Sequence, residues 1–251
     1  GVDVHCDQYP YTAGSNPLRN LLPLWVQSGG VQAMLARLQD PQVRERMRSD
    51  IAQDGLTNFG RVESWGSVLI SISPNQPELA GRTVGDVAAD RECDPLNAVC
   101  EILLADNGHT RILVTSMAES DVQEILSSGA VMIGSDGNSL AHYGITSQGN
   151  PHPRFYGTFA RVLGQYVRDL GVLPLPLAIY KMTGGSAAAL RLRDRGTLRE
   201  GFWADITVFD PQSIAEQATY ENPHQYATGV TTVVVNGTVV VDGGEHTGSV
   251  P

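Results

Sequence analysis

The hydrophobic positions in the first half of the chain alternate between helical and strand-like spacing. Helical spacing predicts helices at about 30–38, 41–53, 84–90 and 95–105. Asp40 and Asp94 each stand directly before a proline, the usual arrangement of an N-cap and the first helical residue. Short apolar runs predict strands at about 2–7, 67–73, 111–116 and 131–134. The stretch from Tyr9 to Pro17 predicts a turn region, and the alternation as a whole favours an α/β fold.

The segment from Arg111 to Gly134 predicts a strand, a helix and a second strand. Ser116 and Glu119 have the spacing of a capping box at the start of that helix. A strand-helix-strand unit of this length is typical of a right-handed crossover between parallel strands. Active residues of such folds lie at the carboxyl ends of strands, where Tyr9 and Asp136 are then expected.

The spacing beyond Pro151 is helical at first and becomes strand-like near Gly196. One helical stripe holds Phe159, Val162, Leu163, Tyr166, Val167 and Leu170. Two shorter helices are predicted at about 176–182 and 186–192. The tail that follows predicts a separate β layer, and Asn236-Gly237 between two β-branched runs predicts a type I′ hairpin.

Composition and charge exclude several classes of partner. The 251 residues carry 17 Lys plus Arg against 27 Asp plus Glu, a formal net charge of -10, so nucleic acid and anionic membranes are poor partners. The longest apolar runs fall short of the roughly 18 residues of a membrane span. The 3 cysteines have no CxxC spacing and fit small buried apolar roles in a reducing compartment, so a cytoplasmic location is expected.

The polar residues leave the chemistry open when they are judged by spacing alone. Asp136 before a glycine suits a turn as well as a catalytic site, and Arg154 suits a solvated surface as well as an anion site. Tyr9 suits a packed turn. The 6 histidines show no HxH, HxxH or HxxxH pair, whereas a zinc site needs three or four converging ligands. The motifs GxSxG, GxxxxGK[ST] and GxGxxG are absent.

Longer segments carry a resemblance to a known family. They are "DQYPYTAGS" at 7–15, "GSDG" at 134–137, "HPRFYGTFARVLGQYVRDLG" at 152–171, "KMTGGSAAAL" at 181–190, "RGTLREGFWADITVFDP" at 195–211 and "VVVNGTVVVDGGEHTGSVP" at 233–251. In this order they resemble the N-acyl-D-amino-acid deacylases, or D-aminoacylases, of the metal-dependent amidohydrolase superfamily. The "ADITVFD" and "VNG" segments alone indicate only the superfamily, and the HPR segment narrows the resemblance to the deacylases.

The resemblance implies roles for four residues. Asp136 would be a zinc ligand and the general base that activates water, and Tyr9 would donate a hydrogen bond to the oxyanion. Ser15 and Arg154 would hold the α-carboxylate of the substrate, an N-acyl-D-amino acid. The role of His142, which lies in a loop between Asp136 and Arg154, stays open between solvent and substrate.

The resemblance also implies a domain organisation. Residues 1–193 would be the C-terminal part of a TIM-like (β/α)8 barrel with a lid insertion at about 18–107, and residues 194–251 part of a small β-sandwich. The family's HxH, THxR and SHxK motifs are absent, and a barrel needs about 250 residues by itself, so the remaining metal ligands are expected upstream of Gly1. The chain alone is then expected to be inactive, to bind no stoichiometric zinc, and to need an N-terminal half or self-association.

Two alternatives stay open beside hydrolysis of N-acyl-D-amino acids. The first is another amidohydrolase that acts on a cyclic amide or a dipeptide, because the β tail and the aspartate are shared across the superfamily. The second is a non-catalytic fragment, or one half of a complemented pair.

Overall fold

A computed structural model describes residues 4–56, 62 and 64–251. The strands are β1 (Cys6–Gln8), β2 (Ala13–Pro17), β3 (Val68–Ile72), β4 (Arg111–Thr115), β5 (Val131–Ile133), β6 (Ile206–Phe209), β7 (Val230–Val235), β8 (Thr238–Asp242) and β9 (Glu245–His246). The helices are α1 (Leu24–Gln27), α2 (Val31–Leu38), α3 (Pro41–Asp54), α4 (Val84–Asp90), α5 (Pro95–Ala105), α6 (Glu119–Ser127), α7 (Arg154–Arg161), α8 (Leu175–Met182) and α9 (Gly184–Ala189). The mixed α/β class is as predicted, although residues 1–3 of the predicted first strand lie outside the described residues.

The predicted N-caps of α3 and α5 are confirmed. The Asp40 carboxylate accepts a hydrogen bond from the Gln42 amide at 2.8 Å, and the Asp94 carboxylate accepts one from the Leu96 amide at 2.9 Å. Each bond satisfies one of the amide groups that a helix leaves unpaired at its first turn, and such a cap stabilises the helix by about 1 kcal/mol.

The predicted capping box of Ser116 and Glu119 is wrong. Helix α6 begins at Glu119, and its N-cap residue is Ala118, which makes no side-chain cap. The Ser116 amide instead donates to the Thr12 carbonyl at 3.2 Å, which extends the pairing of β4 with the chain before β2. Ser116 therefore takes part in strand pairing and does not cap the helix.

The predicted parallel pairing between the strands at 111–116 and 131–134 is also wrong. Strand β5 pairs in parallel with β1, with Gln8 opposite Ile133. Strand β4 lies in an antiparallel sheet of order β2-β4-β3. The cause is β2, which forms where the sequence predicts a turn and places Gly14 opposite Val114. Helix α6 thus connects two sheets, and β1-β5 is the parallel pairing among the described residues.

The first hydrophobic core lies in the segment predicted to be an insertion. Its members run from Leu18 to Val114, and they come mainly from helices α1 to α5 and strands β3 and β4. Fully burying one such side chain stabilises the fold by about 1.5 to 3 kcal/mol. Strands β2 and β4 lead the chain into and out of this core, so the segment between them is anchored by a paired stem.

The second core joins the region before the tail to the tail itself. Leu126, Ile133 and Tyr166 pack with Ile214, which lies beyond the predicted boundary at residue 194. Helix α7 continues as a π-helical segment at Val162–Asp169. The change in residues per turn shifts the buried face, which explains why Phe159, predicted on the apolar stripe, is 47% exposed.

The tail forms an antiparallel sheet of order β6-β7-β8-β9. Asn236 and Gly237 link β7 to β8 with φ angles of 51° and 81°, as a type I′ turn requires, so the predicted hairpin is confirmed.

No helix among residues 4–56, 62 and 64–251 is long and apolar enough to cross a membrane. Cys100 is buried, as predicted, and burial raises the pKa of its thiol to about 11. Cys6 is exposed, so the prediction of a buried role is wrong for it.

Candidate active site

Tyr9 and Asp136 lie at the same edge of the parallel pair. Tyr9 directly follows β1, and Asp136 comes three residues after the end of β5. The carboxyl ends of neighbouring parallel strands meet at one edge, so these two side chains are brought together, as predicted. Asp136 has a φ of 46°, in the left-handed region that costs a non-glycine residue about 1 kcal/mol. Backbone strain of this kind is concentrated at functional sites.

An ion pair joins Asp136 to Arg154. The Asp136 Oδ2 atom lies 2.9 Å from the Arg154 Nη2 atom, and the two side chains are 69% and 6% exposed. Ser135 closes the turn at this position: its hydroxyl accepts a hydrogen bond from the Gly137 amide at 3.2 Å. The Asp136 carboxylate is therefore held by a buried cation on one side and reaches solvent on the other.

The Tyr9 side chain completes this group. Its ring lies under the Arg154 guanidinium, with 4.8 Å from the guanidinium carbon to the ring centre. Its hydroxyl lies beside Gly14, 3.6 Å from where a Cβ atom at that residue would stand. Burial raises the pKa of Tyr9, and the nearby Asp136 charge raises it further, against the opposing effect of Arg154. Tyr9 thus stays protonated near neutral pH and can donate a hydrogen bond.

His152 holds the start of α7 against β2. The His152 Nδ1 atom accepts from the Arg154 amide at 3.0 Å, and its Nε2 atom lies 2.9 Å from the Ala13 carbonyl. These partners assign the proton to Nε2, which donates to that carbonyl. The ring is fully buried, and burial lowers the pKa of His152 to about 3, so it is neutral. The sequence alone does not indicate this role of His152, because Ala13 is 139 residues away.

Ser15 lies apart from this group in the described contacts. Gly14 is the residue of β2 that faces Tyr9, and successive residues of a strand face opposite sides. Accordingly, the Ser15 hydroxyl accepts a hydrogen bond from Arg111 at 3.4 Å. The structure therefore brings Tyr9, Asp136 and Arg154 together and directs Ser15 to the other face of β2.

His142 lies on an exposed loop. Its ring packs against those of Tyr143 and Tyr226, with centre-to-centre distances of 5.3 Å and 4.8 Å. These contacts join the loop to the tail.

Comparison with known proteins settles the family. Residues 78–241 match the model of the amidohydrolase family. The chain belongs to this family. It is 38% identical over 252 residues to a D-aminoacylase of Alcaligenes xylosoxydans xylosoxydans, covering 99% of this chain and 42% of that protein. The resemblance to the N-acyl-D-amino-acid deacylases is confirmed.

Solved structures of amidohydrolases agree with this assignment. A structure of D-aminoacylase, described with a binuclear metal centre, is 36% identical, has a TM-score of 0.72, and is matched over 98% of this chain and 41% of that one. An N-acyl-D-glutamate deacylase from Bordetella bronchiseptica, in complex with zinc and a phosphonate inhibitor, is 30% identical with a TM-score of 0.71, over 96% and 40% of the two chains. This chain spans about two fifths of the length of the relatives it matches.

The described part of this amidohydrolase chain does not itself form a zinc site. Zinc takes three or four nitrogen, sulfur or oxygen ligands. Within the ranges given above, no group of three or more His, Cys, Asp or Glu residues could hold a metal ion. Asp136 is a single exposed carboxylate that pairs with Arg154. The donor set among the described residues is therefore incomplete.

Proposed function

We propose that this chain forms the C-terminal part of a zinc-dependent deacylase that hydrolyses N-acyl-D-amino acids to a carboxylate and a free D-amino acid. The observation that carries the proposal is the contact of Tyr9, Asp136 and Arg154 at the carboxyl ends of β1 and β5. The relatives named D-aminoacylase and N-acyl-D-glutamate deacylase support the same class of reaction.

Asp136 acts as the general base. Its exposed carboxylate takes a proton from water while the water oxygen attacks the amide carbon, and it later gives that proton to the leaving nitrogen as the C–N bond breaks. Arg154 fixes the orientation of the carboxylate from the buried side. Asp136 would also be one zinc ligand, and the remaining ligands would come from outside this chain.

Tyr9 donates a hydrogen bond from its hydroxyl to the oxyanion that develops on the carbonyl oxygen. The raised pKa of Tyr9 keeps the group in the donor form that this role needs. A single oxyanion donor typically contributes a factor of about 10² to 10³ to kcat.

Arg154 and Ser15 recognise the α-carboxylate of the substrate. The planar guanidinium of Arg154 can meet a carboxylate with two parallel bonds, and it already holds one carboxylate oxygen at 2.9 Å. The Ser15 hydroxyl bonds Arg111 on the other face of β2, so its part in the clamp requires β2 to shift when the substrate binds. The separate core of residues 18–114 acts as a lid that sets side-chain preference.

The chain requires a further structural partner. The β1-β5 sheet has two strands, and Cys6 and Asp7 of β1 are exposed. A two-stranded sheet is marginally stable in water, and its open edges are sites for pairing with further strands. The partner is the N-terminal half of the barrel, and self-association is its substitute when that half is absent.

Enantiomer release tests the proposed reaction. The substrate is the racemate of an N-acetyl amino acid, and the enzyme is the complete protein, meaning the longest natural polypeptide that contains this chain. We expect release of the D-amino acid alone. Equal release of both enantiomers, or turnover of cyclic amides or dipeptides in place of N-acyl amino acids, would contradict the proposal.

Metal analysis tests the requirement for a partner. We expect the 251-residue chain to bind well under one equivalent of zinc and the complete protein to bind at least one. A filled zinc site in the chain alone, with deacylase activity, would refute the requirement.

A further inference from the structure

The carbonyl of Pro10 is held by two side chains of one helix. Pro10 follows Tyr9 directly, and its carbonyl oxygen accepts a hydrogen bond from the Arg161 Nε atom at 2.7 Å and another from the Tyr166 hydroxyl at 3.4 Å. Both donors belong to the continuous helix that begins at Arg154. This carbonyl belongs to the rigid Pro10–Tyr11 peptide unit, whose N–H donates to the Tyr9 carbonyl at 3.1 Å. Fixing that unit therefore also restricts the backbone that presents the Tyr9 ring.

Glu216 fixes Arg161 in turn. The Glu216 Oε2 atom lies 3.0 Å from the Arg161 Nη1 atom, and the Oε1 atom accepts from the Tyr11 hydroxyl at 2.5 Å. The Arg161 guanidinium lies 4.9 Å above the centre of the Tyr11 ring. One carboxylate from the tail therefore engages both the arginine that holds Pro10 and the tyrosine that follows Pro10.

The space for Glu216 depends on a glycine. A Cβ atom at Gly157 of α7 would lie 2.4 Å from Glu216 Oε1 and 2.5 Å from its Cγ atom. Real Cβ atoms do not approach so closely, so any other residue at 157 would displace the carboxylate or the helix. The absence of a side chain at this position thus permits the approach of the tail to α7.

Packing alone does not require the charges of Glu216 and Arg161. The side chains of Glu216 and Arg161 are 9% and 23% exposed, and replacing a buried ion pair by packed apolar groups is often neutral or stabilising. What the charged pair adds is a fixed direction for the hydrogen bonds that converge on one carbonyl oxygen beside Tyr9.

We propose that Arg161 and Glu216 are positioning residues for the Tyr9 hydroxyl, and that the C-terminal tail controls the oxyanion donor through them. The expected effect on kcat rests on the proposed function, whereas the expected position of Tyr9 rests on geometry alone. Arg161 and Glu216 do not touch the reacting atoms. They hold the Pro10–Tyr11 peptide, and through its N–H the Tyr9 carbonyl, so that the Tyr9 hydroxyl remains beside Arg154 and Gly14.

The first test is Glu216→Gln in the complete protein, which keeps the shape and removes the charge. A misplacement of about 1 Å can lower the rate about 100-fold, so we expect kcat to fall about 10- to 100-fold while KM changes less than about twofold. Asp205→Asn is the matched control, because Asp205 pairs with Arg195 elsewhere in the tail. The control should retain the wild-type kcat. An unchanged kcat in Glu216→Gln would overturn the inference.

A double variant separates positioning from a general structural effect. If Glu216 acts through Tyr9, adding Glu216→Gln to Tyr9→Phe should lower kcat by less than about threefold below Tyr9→Phe alone. Losses that multiply in the double variant would refute a path through Tyr9. Melting temperatures of all variants exclude simple unfolding.

A crystal structure of Glu216→Gln gives a readout that does not depend on activity. We expect the Tyr9 hydroxyl to move by about 1 Å or more relative to Arg154, because the Pro10 carbonyl loses its fixed donor. If the wild type proves inactive on N-acyl-D-amino acids, the proposed function fails and this structure still decides the inference. An unmoved Tyr9 would overturn it.

Discussion

The Asp136 carboxylate and the Arg154 guanidinium form an ion pair with an Oδ2–Nη2 distance of 2.9 Å, and the arginine is 6% exposed while the aspartate is 69% exposed. The pair connects the end of β5 to the start of α7. A buried cation of this kind keeps a carboxylate in one direction, and its planar fork offers hydrogen-bond donors to a second anion.

Replacing Arg154 should lower the activity most on substrates that carry a free α-carboxylate. We expect Arg154→Ala to lower kcat/KM about 10- to 100-fold more for N-acetyl-D-amino acids than for their C-terminal amides, since a hydrogen bond to a charged group contributes about 1.5 to 3 kcal/mol. Arg82→Ala, which removes an exposed ion pair with Asp90, is the control and should leave both substrates unaffected. Equal losses on the acid and the amide would rule out a carboxylate clamp at Arg154.

His152 should make stability depend on pH. The pKa of folded His152 is about 3, against 6.5 for the ordinary imidazole, so below pH 6.5 the unfolded chain binds a proton that the folded chain does not. The contribution of His152 is therefore complete above pH 6.5 and declines by about 1.4 kcal/mol per pH unit as pH falls from 6.5 towards 3.

Urea unfolding of the complete protein at pH 7 and pH 5.5 measures this slope. His152→Gln should reduce the change in unfolding free energy between the two pH values by about 1 kcal/mol. His142→Gln, at an exposed ring, should leave the wild-type change intact. An unaltered slope in His152→Gln would show that the buried ring is not the group responsible.

Lys181 should be unreactive in the native protein. It is the only lysine in the sequence, it is fully buried, and its ammonium group donates to the carbonyls of Leu126 and Ser128 at the end of α6. An amine-directed reagent should leave Lys181 unlabelled in the native chain and label it after unfolding, as read by peptide mass spectrometry. Lys181→Met should lower the unfolding free energy by about 1 to 3 kcal/mol, because two carbonyls lose their donor. Rapid native labelling would contradict this placement.

The parts of the fold that sequence predicts well are those that depend on neighbouring residues. The N-caps at Asp40 and Asp94 bond to amides two residues away, and the hairpin at Asn236-Gly237 needs only local backbone angles. Strand β2 is the counterexample. Its Gly, Ser, Asn and Pro residues indicate a turn, and it becomes a strand because it pairs with β4 about 100 residues later along the chain.

The same distinction applies to the candidate site. Spacing alone left Asp136 and Arg154 open between structural and functional roles, and the resemblance to a family selected them. The contacts that organise the site span far greater separations: 139 residues between Ala13 and His152, and 205 between Tyr11 and Glu216. No local pattern encodes these contacts, so the sequence alone does not indicate His152 and Glu216 as site residues.

The most direct test of the central claim is the kcat of Asp136→Asn in the complete protein, with its metal content measured on the same sample. The amide cannot accept the proton of the attacking water, and a general base contributes a factor of about 10² to 10⁴. We expect kcat to fall by at least about 100-fold while the metal is retained. Near-normal turnover by a metal-loaded Asp136→Asn enzyme would contradict the assignment of Asp136 as the base.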